Sequence, residues 1–341
     1  MVEAASFFSV WAQDCPYWIL VEGPGAPSVA GLAPVYGKPD VGATKTGPDW
    51  VAQWEVMTAA IAEKPGAALG YRAAVLTGDA LPALAEITAA MRPVAQVNAI
   101  ARQLWLIADV NHGRLGCYLQ PVIDRHGKRA GYEAFARMEG ADGGVIGGGA
   151  IMQAAAVLQV EYALDRLLHQ QAIASFAASG GQGAIFVNFL PGFVQRPEVY
   201  LDGLSAAVRA AKLAEGSVVL DLPRVADARE RARLLPVAQY CREHGFLLAL
   251  DDVASSDGLA ATLAEIRPAY VKLDRGFAQG LNVARAQAML EEVVRLAHEN
   301  GAQVLAEGVE TAAQHERYLA AEVDLFQGYL FGVPQRFPAR G

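Results

Sequence analysis

SVVLDLPRVADARERARLLPVAQYCREHGFLLALDD, residues 217–252, decides how the rest of the chain is read. Two short apolar runs, SVVLDL (217–222) and FLLALDD (246–252), enclose an amphipathic stretch at 227–244. Apolar runs of this length suit strands covered on both faces, and the stretch between them is long enough for a crossover helix. Each run carries acid at or next to its end: Asp221 before the last residue of the first, Asp251 beside Asp252 in the second. A buried strand has no reason to end on two like charges unless something positive meets them.

The same alternation extends to both sides of this stretch, from residue 116 onward. CYLQPVI, YEAFAR, AIFVNF, AYVKLD, QVLAEG and DLFQGYLFG join the two runs above, and amphipathic stretches at 152–178, 201–214, 227–244, 259–266, 284–300 and 312–320 separate most of them. Eight strands in about 225 residues predict an α/β fold, a (β/α)8 TIM-type barrel. The first two runs are joined only by DRHGKRAG (124–131). That link is too short for a parallel crossover, so the first strand should run antiparallel to its neighbour.

Upstream the composition changes. All five tryptophans, Trp11, Trp18, Trp50, Trp54 and Trp105, lie at or before residue 105. Residues 23–49 are rich in Gly and Pro and read as a long irregular region. Helical patterns follow at 49–63 and at 80–109, the second interrupted at Pro93 and stopping near Asn111–Gly113. The expected division is therefore 1–97, a small α/β or helical region of unknown type with regulation as one option, and 98–341, the barrel domain.

With 53% hydrophobic and 19% charged residues, the 341-residue chain is globular rather than disordered. A net charge of −8 argues against general binding to nucleic-acid polymers or anionic membranes. Cys15, Cys117 and Cys241 are far apart, which fits a reduced, cytoplasmic protein. The apolar N-terminus has no basic start and carries Glu3 and Asp14, unlike a signal peptide. No apolar run reaches the ~18 residues of a membrane span. The six histidines show no paired ligand spacing and read as surface or packing residues.

The strand ends carry residues a core would not choose: Glu133, Asn188, Asp221, Asp251 with Asp252, Lys272 with Asp274, Glu307 and Gln327. One acid at a strand end is ordinarily a helix cap or a solvated loop residue. One per strand, in the same register to each apolar run, is a site, because the carboxyl ends of all parallel barrel strands meet at one rim. Like charges ~4 Å apart repel by about 4 kcal/mol at an effective dielectric of 20. Either several carboxyls take up protons or cations are bound. An all-oxygen set with one Asn favours Mg²⁺ or Mn²⁺ over Zn²⁺.

These motifs resemble those of the EAL domain, the phosphodiesterase module that hydrolyses cyclic di-GMP. Glu133-Ala134-Phe135 stands where that family has Glu-Ala-Leu, and FVNFLP (186–191) resembles its Asn-bearing strand. ALDD (249–252), YVKLDRGF (270–277), VLAEGVET (304–311) and FQGYLFGVP (326–334) match its further motifs in order. The resemblance implies that Glu133, Asn188, Asp221 and Asp251 hold one divalent ion, and that Asp251, Asp252 and Glu307 hold a second. Both would be Mg²⁺ or Mn²⁺, with Ca²⁺ inhibitory. It implies catalytic roles for Lys272, Asp252, Glu307 and Gln327. Substrate contacts would come from Gln120, Glu133, Phe135, Arg137 and Pro334, with Arg137 on a phosphate. The implied ligand is cyclic di-GMP, the product linear pGpG, and the setting bacterial second-messenger signalling. A homodimer through the barrel is a further option.

Four positions depart from the family pattern. Asp221 replaces a glutamate ligand, shortening it by one methylene. Arg224 replaces a second glutamate that braces the loop after the paired aspartates. That loop, DDVASSDGL (251–259), lacks the family's aromatic and glycine, and Phe135 replaces leucine. The expectation is a phosphodiesterase of reduced activity. The alternatives are a non-hydrolysing cyclic di-GMP receptor and a protein-interaction module.

Overall fold

The computed structural model describes residues 17–22, 32–34, 41–46, 50–62, 72–77, 90–140, 143–190, 197–223, 227–277 and 284–337. The chain forms two compact units, one of Met1–Arg114 with Gly149–Glu161, the other of Leu115–Gly148 with Tyr162–Gly341.

In the first unit, strands β1 (Tyr17–Glu22), β2 (Ala33–Pro34), β3 (Val41–Thr46), β4 (Arg72–Thr77) and β5 (Arg92–Pro93) form an antiparallel sheet ordered β2-β3-β1-β4-β5. Helix α1 (Trp50–Ala62) buries Trp50, Trp54 and Met57, spaced four and three apart along one helical face. They pack with Ile19 and Val21 of β1, while Leu20 between them faces a separate cluster with Ala43 and Ala74. Trp54 Nε1 donates to Asn98 Oδ1 at 2.8 Å. The Gly/Pro-rich stretch is thus not wholly irregular: β2 and β3 lie within it, and β3 takes its ladder from β1 along its whole length. The helix expected over 80–109 is also corrected. Pro93 precedes α2 (Val94–Ala101) as its cap, and α3 (Trp105–Asn111) follows. Proline lacks the N–H that a helix interior requires, so it starts this helix rather than kinking it. Residues 80–89 of that pattern lie outside the described residues.

The second unit is a closed barrel with helices. Its strands are β6 (Leu115–Asp124), β7 (Arg129–Glu139), β9 (Ala184–Asn188), β10 (Val218–Pro223), β11 (Leu247–Val253), β12 (Tyr270–Leu273), β13 (Gln303–Ala306) and β14 (Leu325–Phe326), and β6 closes the ring between β14 and β7. β6 pairs antiparallel with both neighbours, and the remaining barrel pairings are parallel. Short β8 (Val145–Gly147) and β15 (Gln335–Arg336) add to β7 and β6. Asp124 Oδ1 holds the β6–β7 hairpin by accepting from the backbone N–H groups of His126 and Lys128, both at 2.9 Å.

The stretch 152–178 is two helices, α4 (Gly148–Leu158) and α5 (Glu161–Ala178), broken where Gln159 turns left-handed at φ 57°. Helices α6 (Pro197–Ala210), α7 (Ala228–Glu243), α8 (Leu259–Ile266), α9 (Ala284–Glu299) and α10 (Ala312–Ala320) follow. Asp227 caps α7 through Glu230 N–H, and Thr311 with Gln314 forms a capping box on α10.

Successive strand residues face opposite sides. On β10, Leu220 and Leu222 join the cluster that contains Leu234, Val237 and Ala238 of α7. Val219 instead meets Val122, Phe186, Ala249, Leu305 and Leu325, one residue from each of five other strands. This is the apolar filling of the barrel interior, and it fixes what the next inward position must do.

Candidate metal centre and active site

Two residues beyond each interior apolar residue, on the same face, stands a polar one. Phe186 leads to Asn188, Val219 to Asp221, Ala249 to Asp251, Tyr270 to Lys272, Leu305 to Glu307 and Leu325 to Gln327. On antiparallel β6 the order reverses, so Gln120 precedes Val122. Glu133 joins from β7, where it pairs with Gln120. The period of two therefore stacks a polar layer directly on an apolar one at the carboxyl rim.

Lys272 is the hub of that layer. Its ammonium donates to Asp221 Oδ2 at 2.7 Å and Glu133 Oε1 at 3.1 Å. It also lies 2.8 Å from Glu307 Oε1 and 3.1 Å from Asp251 Oδ1. The lysine side chain is 1% exposed. Burial alone would push its proton off, but the surrounding carboxylates, Asp221 foremost, outweigh burial and hold the ammonium well above the ordinary lysine range. One cation cannot balance four carboxylates. Burial pushes the Glu307 carboxyl up to about 7 against the pull of Lys272, with Glu133 and Asp251 adding to the rise. Burial likewise drives Asp221 well above the usual carboxylate range, opposed by Lys272 and reinforced by Glu133 and Asp251.

Adjacent strand residues should point apart, yet both aspartates of β11 enter the site. The ladder between β11 and β12 shifts register between Leu250 and Val253, and Asp252 turns left-handed at φ 53°. Aspartate tolerates that conformation better than most residues. The bulge lets Asp251, Asp252 and Glu307 bring one oxygen each within 4.8 Å of one another, a group able to hold a metal ion. Burial, then Asp251 and Asp274, raise the Asp252 carboxyl. Asp274, at the end of β12, accepts from Gly276 N–H at 2.7 Å and stands outside that three-carboxylate group.

The donor set fits a cation. Glu133 Oε2 and Asp221 Oδ1 are buried with no hydrogen-bond donor, and Asp251 Oδ1 meets the Lys272 ammonium at 3.1 Å without an aligned hydrogen bond. A buried acceptor left bare costs about 1–3 kcal/mol, more when charged. Hard divalent ions take oxygen ligands of this kind.

Beside the polar layer, one cavity is lined by Gln120, Phe135, Arg137, Gln327 and Pro334. Arg137 stands over the Phe135 ring, 5.5 Å from its centroid, and donates to the Ala136 carbonyl at 2.8 Å. Gln120 Nε2 donates to Gly332 C=O at 2.9 Å, tying β6 to the loop after β14. Gln327 Nε2 is buried without an acceptor. Arg275, Glu310, Gln314 and Tyr329 line the same cavity and are absent from the sequence-based set. Their signal was membership of a motif: Arg275, Glu310 and Tyr329 each lie inside a motif already singled out.

Asn188 is exposed, and no hydrogen bond joins its side chain to the carboxylates among the described residues. Arg224 lies outside the described residues. In the altered loop, Ser256 donates through its N–H at 3.3 Å and its hydroxyl at 3.5 Å to Met289 Sδ of α9, and Ser255 Oγ donates to Asp257 at 3.2 Å.

Comparison with known proteins identifies the family of the barrel. The family model "EAL domain" matches residues 102–334. The chain is similar to the probable cyclic di-GMP phosphodiesterase PdeG of Escherichia coli K12, 26% identical over 233 residues, or 66% of this chain and 45% of that protein. It is also similar to the cyclic di-GMP phosphodiesterase RocR of Pseudomonas aeruginosa, 30% identical over 134 residues, or 39% of this chain and 34% of that protein. The matches thus span less than half the length of these relatives. Among solved structures, the PaMucR phosphodiesterase in complex with c-di-GMP superposes with a TM-score of 0.62 at 23% identity, over 69% of this chain and 98% of that one. The FimX EAL domain of Pseudomonas aeruginosa bound to c-di-GMP gives 0.61 at 24%, over 72% and 98%. At such identities the likeness establishes the barrel fold. Among the described residues no helix is long and apolar enough to cross a membrane.

Proposed function

The chain belongs to the EAL-domain family, and from that premise we propose that it is a cytoplasmic cyclic di-GMP phosphodiesterase yielding linear pGpG. The observation that carries the reading is the convergence of Asp251, Asp252 and Glu307, the first and last of which join Glu133 and Asp221 around Lys272. A scaffold that only presents its surface has no use for buried acids of this density.

In this reading Glu133, Asn188, Asp221 and Asp251 hold one Mg²⁺ or Mn²⁺, and Asp251, Asp252 and Glu307 hold the second. Such a pair supplies an activated water and neutralises charge on the phosphoryl oxygens. Lys272 donates to the carboxylates at rest and, once cations share their charge, has N–H bonds to give to the developing phosphoryl charge. Gln327 keeps an amide N–H free of any protein acceptor, suited to a water or a substrate oxygen. Arg137, pre-set over Phe135, forks onto a phosphate. Gln120 and Pro334 line the nucleoside ends. Residues 98–341 are the working module, and residues 1–97 carry regulation.

A non-hydrolysing receptor is the second reading. Asp221, the shortened ligand, favours it, because one of its oxygens is already committed to Lys272 at 2.7 Å. Incubation with cyclic di-GMP and Mn²⁺ or Mg²⁺, followed by chromatography of the nucleotides, separates the two, with binding measured in Ca²⁺. Conversion to pGpG is expected. Binding without conversion would establish the receptor, and neither would leave an interaction module.

A further inference from the structure

We propose that His169, on α5 and outside the barrel ring, is the positioning residue for Asn188. The inference rests on the reading of Asn188 as a metal ligand. His169 is 3% exposed, and its Nε2 lies 3.0 Å from the backbone carbonyl of Asn188. Asp165 Oδ2, one helical turn back, is 3.5 Å from the same nitrogen. A carbonyl only accepts, so the ring proton sits on Nε2 and points at Asn188. The ring edge is seated against Tyr200 at 6.1 Å, and Tyr200 in turn meets Phe189 at 5.3 Å.

Position is what makes this bond matter. β9 ends at Asn188, where it still pairs with Asp221 of β10. The next peptide leaves the sheet, and its plane sets ψ of Asn188 and with it the take-off of the chain beyond. His169 holds that peptide by its carbonyl oxygen, and Phe189, which supplies its nitrogen, is anchored by burial. The side chain of Asn188 can then stay exposed at the rim without drifting from the carboxylates it serves. A histidine that merely fills the core would have no need to bond this particular carbonyl.

The test is Mn²⁺ affinity of the full chain by calorimetry, independent of turnover. His169→Phe keeps an aromatic ring against Tyr200 and removes the donor. His169→Gln keeps a donor. His169→Phe should weaken Mn²⁺ binding about tenfold, the scale of such supporting contacts. His169→Gln should recover most of it. His169→Phe combined with Asn188→Ala should bind no more weakly than Asn188→Ala alone. Wild-type affinity in His169→Phe, or losses that add in the double variant, overturns the proposal. If Asn188→Ala weakens binding and His169→Phe does not, only the role of His169 falls. If Asn188→Ala itself changes nothing, the ligand reading falls and takes the proposal with it. Should His169→Phe fail to fold, His169→Leu, which also lacks the donor, takes its place: about tenfold weaker Mn²⁺ binding that does not add to Asn188→Ala supports the role, and wild-type affinity refutes it.

Discussion

Lys272 and Asp221, 51 residues apart in sequence, meet at 2.7 Å with both side chains 1% exposed. The pair sets the electrostatics of the whole site, since the same ammonium serves three further carboxylates. Removing one partner of a buried ion pair typically costs about 3–5 kcal/mol because the other charge is left bare. Lys272→Met should therefore lower the stability of the metal-free protein by about that amount at pH 7.5, read from urea unfolding, and abolish hydrolysis. An unchanged urea midpoint would mean that the carboxylates are neutral or hydrated and that Lys272 is not their counter-ion.

The paired aspartates should be individually indispensable. Asp251→Asn and Asp252→Asn each remove a charge while keeping a side chain that accepts the local backbone, including φ 53° at position 252. A ligand at 100 times its Kd stabilises by about 2.7 kcal/mol. That Mn²⁺-dependent gain in unfolding free energy should shrink in both variants, together with loss of turnover. Wild-type hydrolysis in either would contradict a two-metal centre built on Asp251 and Asp252.

Arg137→Ala should weaken cyclic di-GMP binding by about 1.5–3 kcal/mol, the scale of a hydrogen bond to a charged group. Arg137→Lys should restore only part, since an ammonium cannot make the forked contact. Phe135→Ala should have a smaller effect in the same direction, because it removes the ring over which Arg137 is held. Fluorescence titration in Ca²⁺ reads all three. Equal affinity in Arg137→Ala would assign the guanidinium to structure alone.

Away from the metal centre, Asp165 predicts a pH dependence. Burial raises its carboxyl to about 6, against an opposing pull from His169. The folded chain thus holds a proton that the unfolded chain releases near 3.8. The resulting stability is complete below pH 3.8 and is lost as pH rises through about 6. Asp165→Asn should flatten the decline in melting temperature between pH 4 and pH 6 and raise it at pH 7–8. A slope identical to wild type would show that Asp165 is hydrated in solution.

The polar rim was legible because one rule, period two along each strand, acts on every strand alike. Once Val219 and Ala249 are inward, Asp221 and Asp251 must be inward too. Asp252 was legible only as chemistry: its neighbour's side of the strand should have excluded it, and a bulge that sequence does not announce brings it in. Which acids Lys272 would meet could not be read, because that depends on barrel closure over separations as large as 139 residues. His169 escaped for the same reason. Nothing local to α5 reveals a bond to the end of β9. The β2–β3 segment was read as irregular because its Gly and Pro residues mask strands whose stability comes from β1.

Lys272 also constrains how the chain can fold. Its partners come from β7, β10, β11 and the end of β13, so a barrel closed without β12 would hold four acids face to face. Loop closure over such separations is slow, and it goes unrewarded until the long-range contacts form. Burial of the β12 lysine and closure of the ring thereby become one cooperative event, and the rate of refolding should depend on whether carboxylates or protons occupy that rim when the last strand arrives.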